Sequence, residues 1–215
     1  MLTVAAHAHA TLPLDVLAGL TLLSLAPFLL VMSTSFVRIV VVLSLVRSAI
    51  GASALPPNSV LTGLALVLTL VIMSPALTQI SHDALEPYSL GKLTQRQAID
   101  RAAQPLRAFM LRQARMRDVA LFAGVARVRV ERAADTPTFV LIPAFVVGEL
   151  RSAFAIGFAL YLPFVAIDLA VASILMGLGM FMLSPPVISL PAKLLLFVMV
   201  DGWALVCGGV VSSFR

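Results

Sequence analysis

Six charged side chains interrupt runs that are otherwise apolar: Arg38, Glu149, Arg151, Asp168, Lys193 and Asp201. An ionised group at mid-bilayer costs roughly 2.5–3.5 kcal/mol on insertion scales, so such residues pair or line a polar path. Two chemistries fit these types: interhelical ion pairs, or a proton relay or substrate contact. Glu149 and Arg151 are two residues apart, which is about 200° around a helix, so they face opposite ways. Lys193 and Asp201 are separated by about 12 Å along a straight helix. Neither couple can pair within its own helix. Each charge therefore needs a partner on another helix or another subunit. The balance of signs favours pairing over a relay.

Other chemistry has little support. There is no Gly-rich phosphate loop, and no His/Cys/Asp/Glu group has metal-ligand spacing. His7 and His9 alternate with alanines in the tail and lack a third ligand nearby. His82 is the only other histidine, so a Ser-His-Asp arrangement has no basis. The expectation is a protein that is not an enzyme, with no catalytic residues, cofactor or metal. Cys207 lies alone in an apolar run and reads as a small core residue.

The elements that must hold those charges are helices in an apolar setting. Of the 215 residues, 60% are hydrophobic and 12% charged, against roughly 45–50% and 25% in soluble domains. Mean hydropathy is +1.05. The chain belongs to the membrane class. The expected division is a tail over 1–13, apolar helical segments over 14–80, a polar helical region over 81–137, and apolar hairpins over 138–215. Met1–Ala10 has neither a basic segment nor a long apolar one, so it is not a complete signal peptide, although Ala8-His9-Ala10 resembles the end of one. A lost upstream part and an ordinary short tail both stay open.

Leu14–Met32 is long enough to span a bilayer, and Phe36–Val46 follows it too closely for a second full span. That second piece is expected to be re-entrant or to lie against other protein. Pro56 and Pro57 break the helix, and Asn58 or Ser59 is placed to cap the next one, Val60–Ile80. Ten of the 15 basic residues lie between Lys92 and Arg132. There, Ala98, Ala102, Leu106, Phe109 and Met110 recur at helical spacing, giving a solvated amphipathic hairpin. Interleaved acids and sparse aromatics argue against nucleic acid. Phe139–Ile167 and Leu169–Leu183 read as two further apolar segments, too close to be two ordinary spans with a turn between, with Pro163 placed to kink one long hairpin arm. A loop, Met180-Phe181-Met182-Leu183-Ser184-Pro185-Pro186, precedes the last run, Val187–Val211, with Pro185 and Pro186 as its helix-breaking turn.

Several long blocks resemble one family. They include TSFVRIVVVLSLVRSAIG (34–51), LPPNSVLTGLALVLTLVIMSP (55–75), PLRAFMLRQARMRDVALF (105–122), PAFVVGELRSAFAIGF (143–158), LPFVAIDLAVASILMGLGM (162–180) and ISLPAKLLLFVMVDGW (188–203). Together, from about Leu22 to Phe214, they resemble the FliP family of flagellar biosynthetic proteins. A more distant likeness is to the counterpart in type III secretion injectisomes.

The resemblance implies an all-α membrane protein whose kinked hairpins assemble into a helical export-gate pore. It implies five copies with FliQ and FliR, with FlhB and FlhA as further partners. Unfolded flagellar subunits would be the cargo, and membrane lipid would surround part of the assembly. The place would be the flagellar basal body in the bacterial inner membrane. A methionine-rich constriction in the family maps onto Met180, Phe181 and Met182, with Phe181 where the family often has methionine. The positive-inside rule puts the basic middle region in the cytoplasm, whereas the resemblance puts it on the periplasmic side, which is the expectation kept. The alternatives are the injectisome subunit, which an absent signal peptide would favour, and a small-solute or ion channel using the buried charges as its path.

Overall fold

A computed structural model describes residues 20, 21, 24, 27–52 and 55–214. The tail, including His7 and His9, lies outside the described residues, as does most of the first half of the Leu14–Met32 run. Residues 27–32 are helical, and a turn through Ser33–Ser35 leads into α1, Phe36–Ile50. Ile39, Val42, Leu43 and Val46 are fully buried. This helix therefore lies against protein, as one of the two sequence alternatives had it, and the protein is its own chain. It ends where Gly51 adopts φ +83°, a left-handed position that glycine fills without a Cβ clash.

Helix α2, Asn58–Ile80, starts without side-chain capping. Asn58 and Ser59 were expected to cap it. Instead Asn58 Oδ1 accepts from Arg47 Nη1 at 2.6 Å, which draws that amide away from the helix end. The chain continues through a π-helical turn, Ser81–Leu85, into α3, Glu86–Ser89. Two amphipathic helices follow, α4 (Gln95–Gln113) and α5 (Met116–Val125). Thr94 starts α4 with a capping box to Gln97, satisfying two otherwise orphaned donors. Ala98, Phe109 and Met110 of the expected stripe are buried. Arg107 donates to the carbonyls of Ala134 and Thr136 and to Thr138 Oγ1, tying α4 to the start of the next long helix.

That helix, α6, runs unbroken from Thr138 to Gly177 through Pro143 and Pro163. The two apolar segments on either side of Asp168 thus form one long arm, with Pro163 inside it, and the Asp168 carboxylate is satisfied from a neighbouring helix. At 40 residues, α6 is about 60 Å long, twice the roughly 30 Å hydrocarbon core. Its first half buries Leu141, Phe145, Glu149 and Ala153 at intervals of four against α1, α4 and α5. Its second half exposes Phe158, Leu162, Leu169 and Ile174. At Gly157 a Cβ would sit 2.3 Å from Leu45 Cδ1 and 3.0 Å from Leu45 Cβ, so α1 and α6 meet at a distance only glycine allows.

The last apolar run forms α7, Pro185–Met199, and α8, Gly202–Ser212, bent 64° to each other. The bend centres on Asp201, at φ 49° and ψ 55°, a left-handed conformation that aspartate tolerates better than most residues. Three apolar clusters form the interior. The largest joins α1, α2, α6, α7 and α8; a second joins Met73 and Ala76 to Phe109, Met110, Leu141 and Phe145; a third joins α5 to α6. No strand occurs among the described residues. Asn58–Ser89 and Thr138–Gly177 are long and apolar enough to cross a membrane, and the bent pair offers a third crossing. The protein is an all-α membrane protein.

Candidate functional site: buried ion pairs and an exposed apolar loop

Helical phase decides where each charge points. Glu149 and Arg151 face opposite sides of α6 and find different partners. Arg38 of α1 donates to Glu149 through Nε at 2.9 Å and Nη2 at 2.5 Å. Nη1 reaches the carbonyl and hydroxyl of Ser213, each at 3.0 Å, and Nη2 also reaches Gln113 Oε1 at 3.1 Å. All five N–H bonds of the guanidinium thus have acceptors. Its carbon lies 3.8 Å from the centre of the Phe214 ring, which stacks in turn on Phe109. One buried cation therefore joins α1, α4, α6 and the end of the chain. The Glu149 carboxylate is wholly buried and takes both its hydrogen bonds from Arg38.

On the other side of α6, Arg151 makes a bidentate pair with Asp118 of α5, with both bonds at 2.8 Å. Asp118 is buried while Arg151 is partly exposed. Lower on α6, Asp168 meets α7. Lys193 Nζ lies 2.6 Å from Asp168 Oδ2, and Ser189, one turn earlier on α7, donates to Asp168 Oδ1. Lys193 also reaches the Ala49 carbonyl of α1 at 3.4 Å. Asp201 differs from the rest: it is exposed at the α7–α8 bend and has no ion-pair partner among the described residues.

Each buried charge, Arg38, Asp118, Glu149 and Lys193, is paired. Such an arrangement suits holding helices in register. A conducting path needs groups free to exchange partners, and the saturated Arg38 guanidinium has no donor to spare. Sequence reasoning missed Asp118, Gln113, Ser189, Ser213 and Phe214. Asp118 had been read only as one of several acids interleaved in a basic surface. Nothing in its spacing relates it to Arg151, 33 residues on.

The loop between α6 and α7 shows the opposite character. Gly179 turns the chain at φ +74°, and Pro185 and Pro186 open α7 in its first turn. Met180, Phe181 and Met182 are 45%, 78% and 101% exposed. Three large apolar side chains project from the tip of a hairpin whose arms are also apolar outside. Among the described residues no His/Cys/Asp/Glu group is arranged to hold a metal ion.

A family model described as "FliP family" matches residues 19–210. The flagellar biosynthetic protein FliP of Pectobacterium carotovorum is 49% identical over 95% of this chain and 80% of its own length. The protein of the same name from Bacillus subtilis is 45% identical over 91% of this chain and 89% of its own. That of Caulobacter vibrioides is 50% identical, covering 93% and 76% respectively. The matched residues, 19–210, span the paired charges, the proline turns and the exposed loop. The chain belongs to the FliP family.

Proposed function

We propose that this chain is a core subunit of the flagellar type III protein export gate. Five copies would assemble with FliQ and FliR, alongside FlhB and FlhA, around a pore in the inner membrane at the flagellar basal body. Unfolded flagellar subunits are the cargo. The observation that carries this reading is the Met180–Met182 tip, where three apolar side chains are exposed on a braced hairpin. A ring of such tips would close a pore by apolar contact. Methionine thioethers are flexible enough to repack around varied cargo, and Phe181 makes this ring stiffer than one of methionines alone. Family membership and flagellar relatives at 45–50% identity support the flagellar system over the injectisome one.

A chromosomal deletion complemented by two alleles tests both parts of the proposal. Without the gene, filament export and motility should stop, and the wild-type allele should restore them. An allele with Met180, Phe181 and Met182 all changed to glycine should restore export while admitting small solutes across the resting membrane. A motile deletion strain overturns the gate; a triple-glycine allele that stays tight to solutes overturns the loop as its seal.

The same proposal puts the polar region over 81–137 on the periplasmic side. With Cys207 changed to serine, Ser89→Cys should react with a membrane-impermeant thiol reagent added from the periplasm; labelling only from the cytoplasm reverses the orientation. Ser89 is an exposed position, whereas Gln113 holds Arg38 and would be a poor probe.

A further inference from the structure

A cavity lies away from the pore loop, where the C-terminal end of α1 meets the start of α2 and the α7–α8 bend. It is an open groove of about 860 Å³, within the 300–1,000 Å³ range of small-molecule sites. Ile50, Leu55, Leu61, Leu64, Leu194 and Trp203 line it, and among the described residues nothing charged does. Arg47 lies outside that lining and reaches it through Pro56. Nη1 of Arg47 donates to the Pro56 carbonyl at 3.2 Å and to Asn58 Oδ1 at 2.6 Å, and of these two residues Pro56 lines the groove. Those acceptors are neutral. No carboxylate among the described residues pairs with Arg47, and its Nε and Nη2 donate to none of them. The other cation nearby, Lys193, is neutralised by Asp168. One half-buried guanidinium with no carboxylate partner among the described residues therefore lies beside a hydrocarbon-lined groove.

We infer that this groove binds a phospholipid, with an acyl chain along the apolar wall and the phosphate on the free edge of Arg47. An apolar pocket alone would accept any greasy occupant. The guanidinium beside it selects one that is apolar at one end and anionic at the other. Guanidinium matches phosphate in a planar, two-bond geometry. Anionic headgroups are preferred over zwitterionic ones, because a choline ammonium would compete with Arg47 for the same phosphate.

Trp203 is the chain's single tryptophan and lines the groove, so its fluorescence reports the occupant directly. The full-length protein is reconstituted into vesicles containing increasing fractions of phospholipid brominated on its acyl chains. The brominated lipid carries either a phosphatidylglycerol or a phosphatidylcholine headgroup. Half-quenching is expected at a mole fraction about fivefold lower for phosphatidylglycerol, the factor one basic residue near an anionic surface supplies. Arg47→Gln should erase that preference while leaving full quenching at high lipid, and Arg47→Lys should keep part of it. Equal quenching by both headgroups in the wild-type protein means contact with bulk lipid only and overturns the site. Absence of quenching by either means another protein surface covers the groove and overturns it too. Because the wild-type comparison decides by itself, poor folding of Arg47→Gln leaves the test intact.

Discussion

Glu149→Ala is expected to be the most damaging single substitution in this chain, lowering stability by about 3–5 kcal/mol. That is the range for removing one member of a buried ion pair. Its cause is not the loss of attraction alone. Arg38 is 4% exposed, and without Glu149 its positive charge stays buried with no counter-ion. Arg38 also holds Ser213 and Gln113 and stacks on Phe214. Any movement that lets it reach solvent would free the end of α8 and loosen α4. Replacing both partners by apolar residues, Arg38→Met with Glu149→Leu, should recover much of the loss, because no charge is then stranded. Recovery stays incomplete, since the half-buried Gln113 amide and Ser213 carbonyl each lose a donor, at roughly 0.5–1.5 kcal/mol per hydrogen bond. Thermal unfolding in detergent, followed by circular dichroism across this double-mutant cycle, checks the ordering. A single Glu149→Ala variant as stable as the double one contradicts the account.

How much of this was legible in the sequence depends on the range of the interaction. Local periodicity is enough to place Glu149 and Arg151 on opposite faces, and they do face different helices. It also marks Ala98, Phe109 and Met110 as a buried stripe. It fails where a distant residue changes the local outcome. Asp168 looks like an unpaired charge in an apolar run until Ser189 and Lys193, on another helix, are seen to satisfy it. Asn58 looks like a cap until Arg47 engages its amide. Arg38 and Glu149 are 111 residues apart, and no spacing rule connects them. Asp118 was overlooked for the same reason. The exposed loop was legible as a position, since Gly179 and the Pro185–Pro186 pair frame it. Its projection depends on α6 continuing unbroken to Gly177 through Pro143 and Pro163.

Asp168→Ala should cost more than Lys193→Met, although the two residues form one pair. The difference comes from what each substitution leaves behind. Lys193 is 5% exposed in its side chain and Asp168 is 30% exposed. Removing the carboxylate strands an ammonium near the Ala49 carbonyl, with the Ser189 hydroxyl unable to balance its charge. Removing the lysine leaves a carboxylate that already reaches water and keeps the Ser189 hydrogen bond. Because Asp168 is partly solvated, its loss should fall near the lower end of the roughly 3–5 kcal/mol range, and Lys193→Met should stay nearer 1–2 kcal/mol, the scale of one charged hydrogen bond. The same pair fixes α7 against α6 and α1, beyond the loop that joins them. Asp168→Ala should therefore loosen the α6–α7 hairpin before the Arg38 region is disturbed. Amide hydrogen exchange resolved by segment separates the two: exchange should rise across α7 first, while α1 and the first half of α6 stay protected. Equal acceleration in both regions would mean that the helices open as one unit and that this pair does not set the hairpin's own stability.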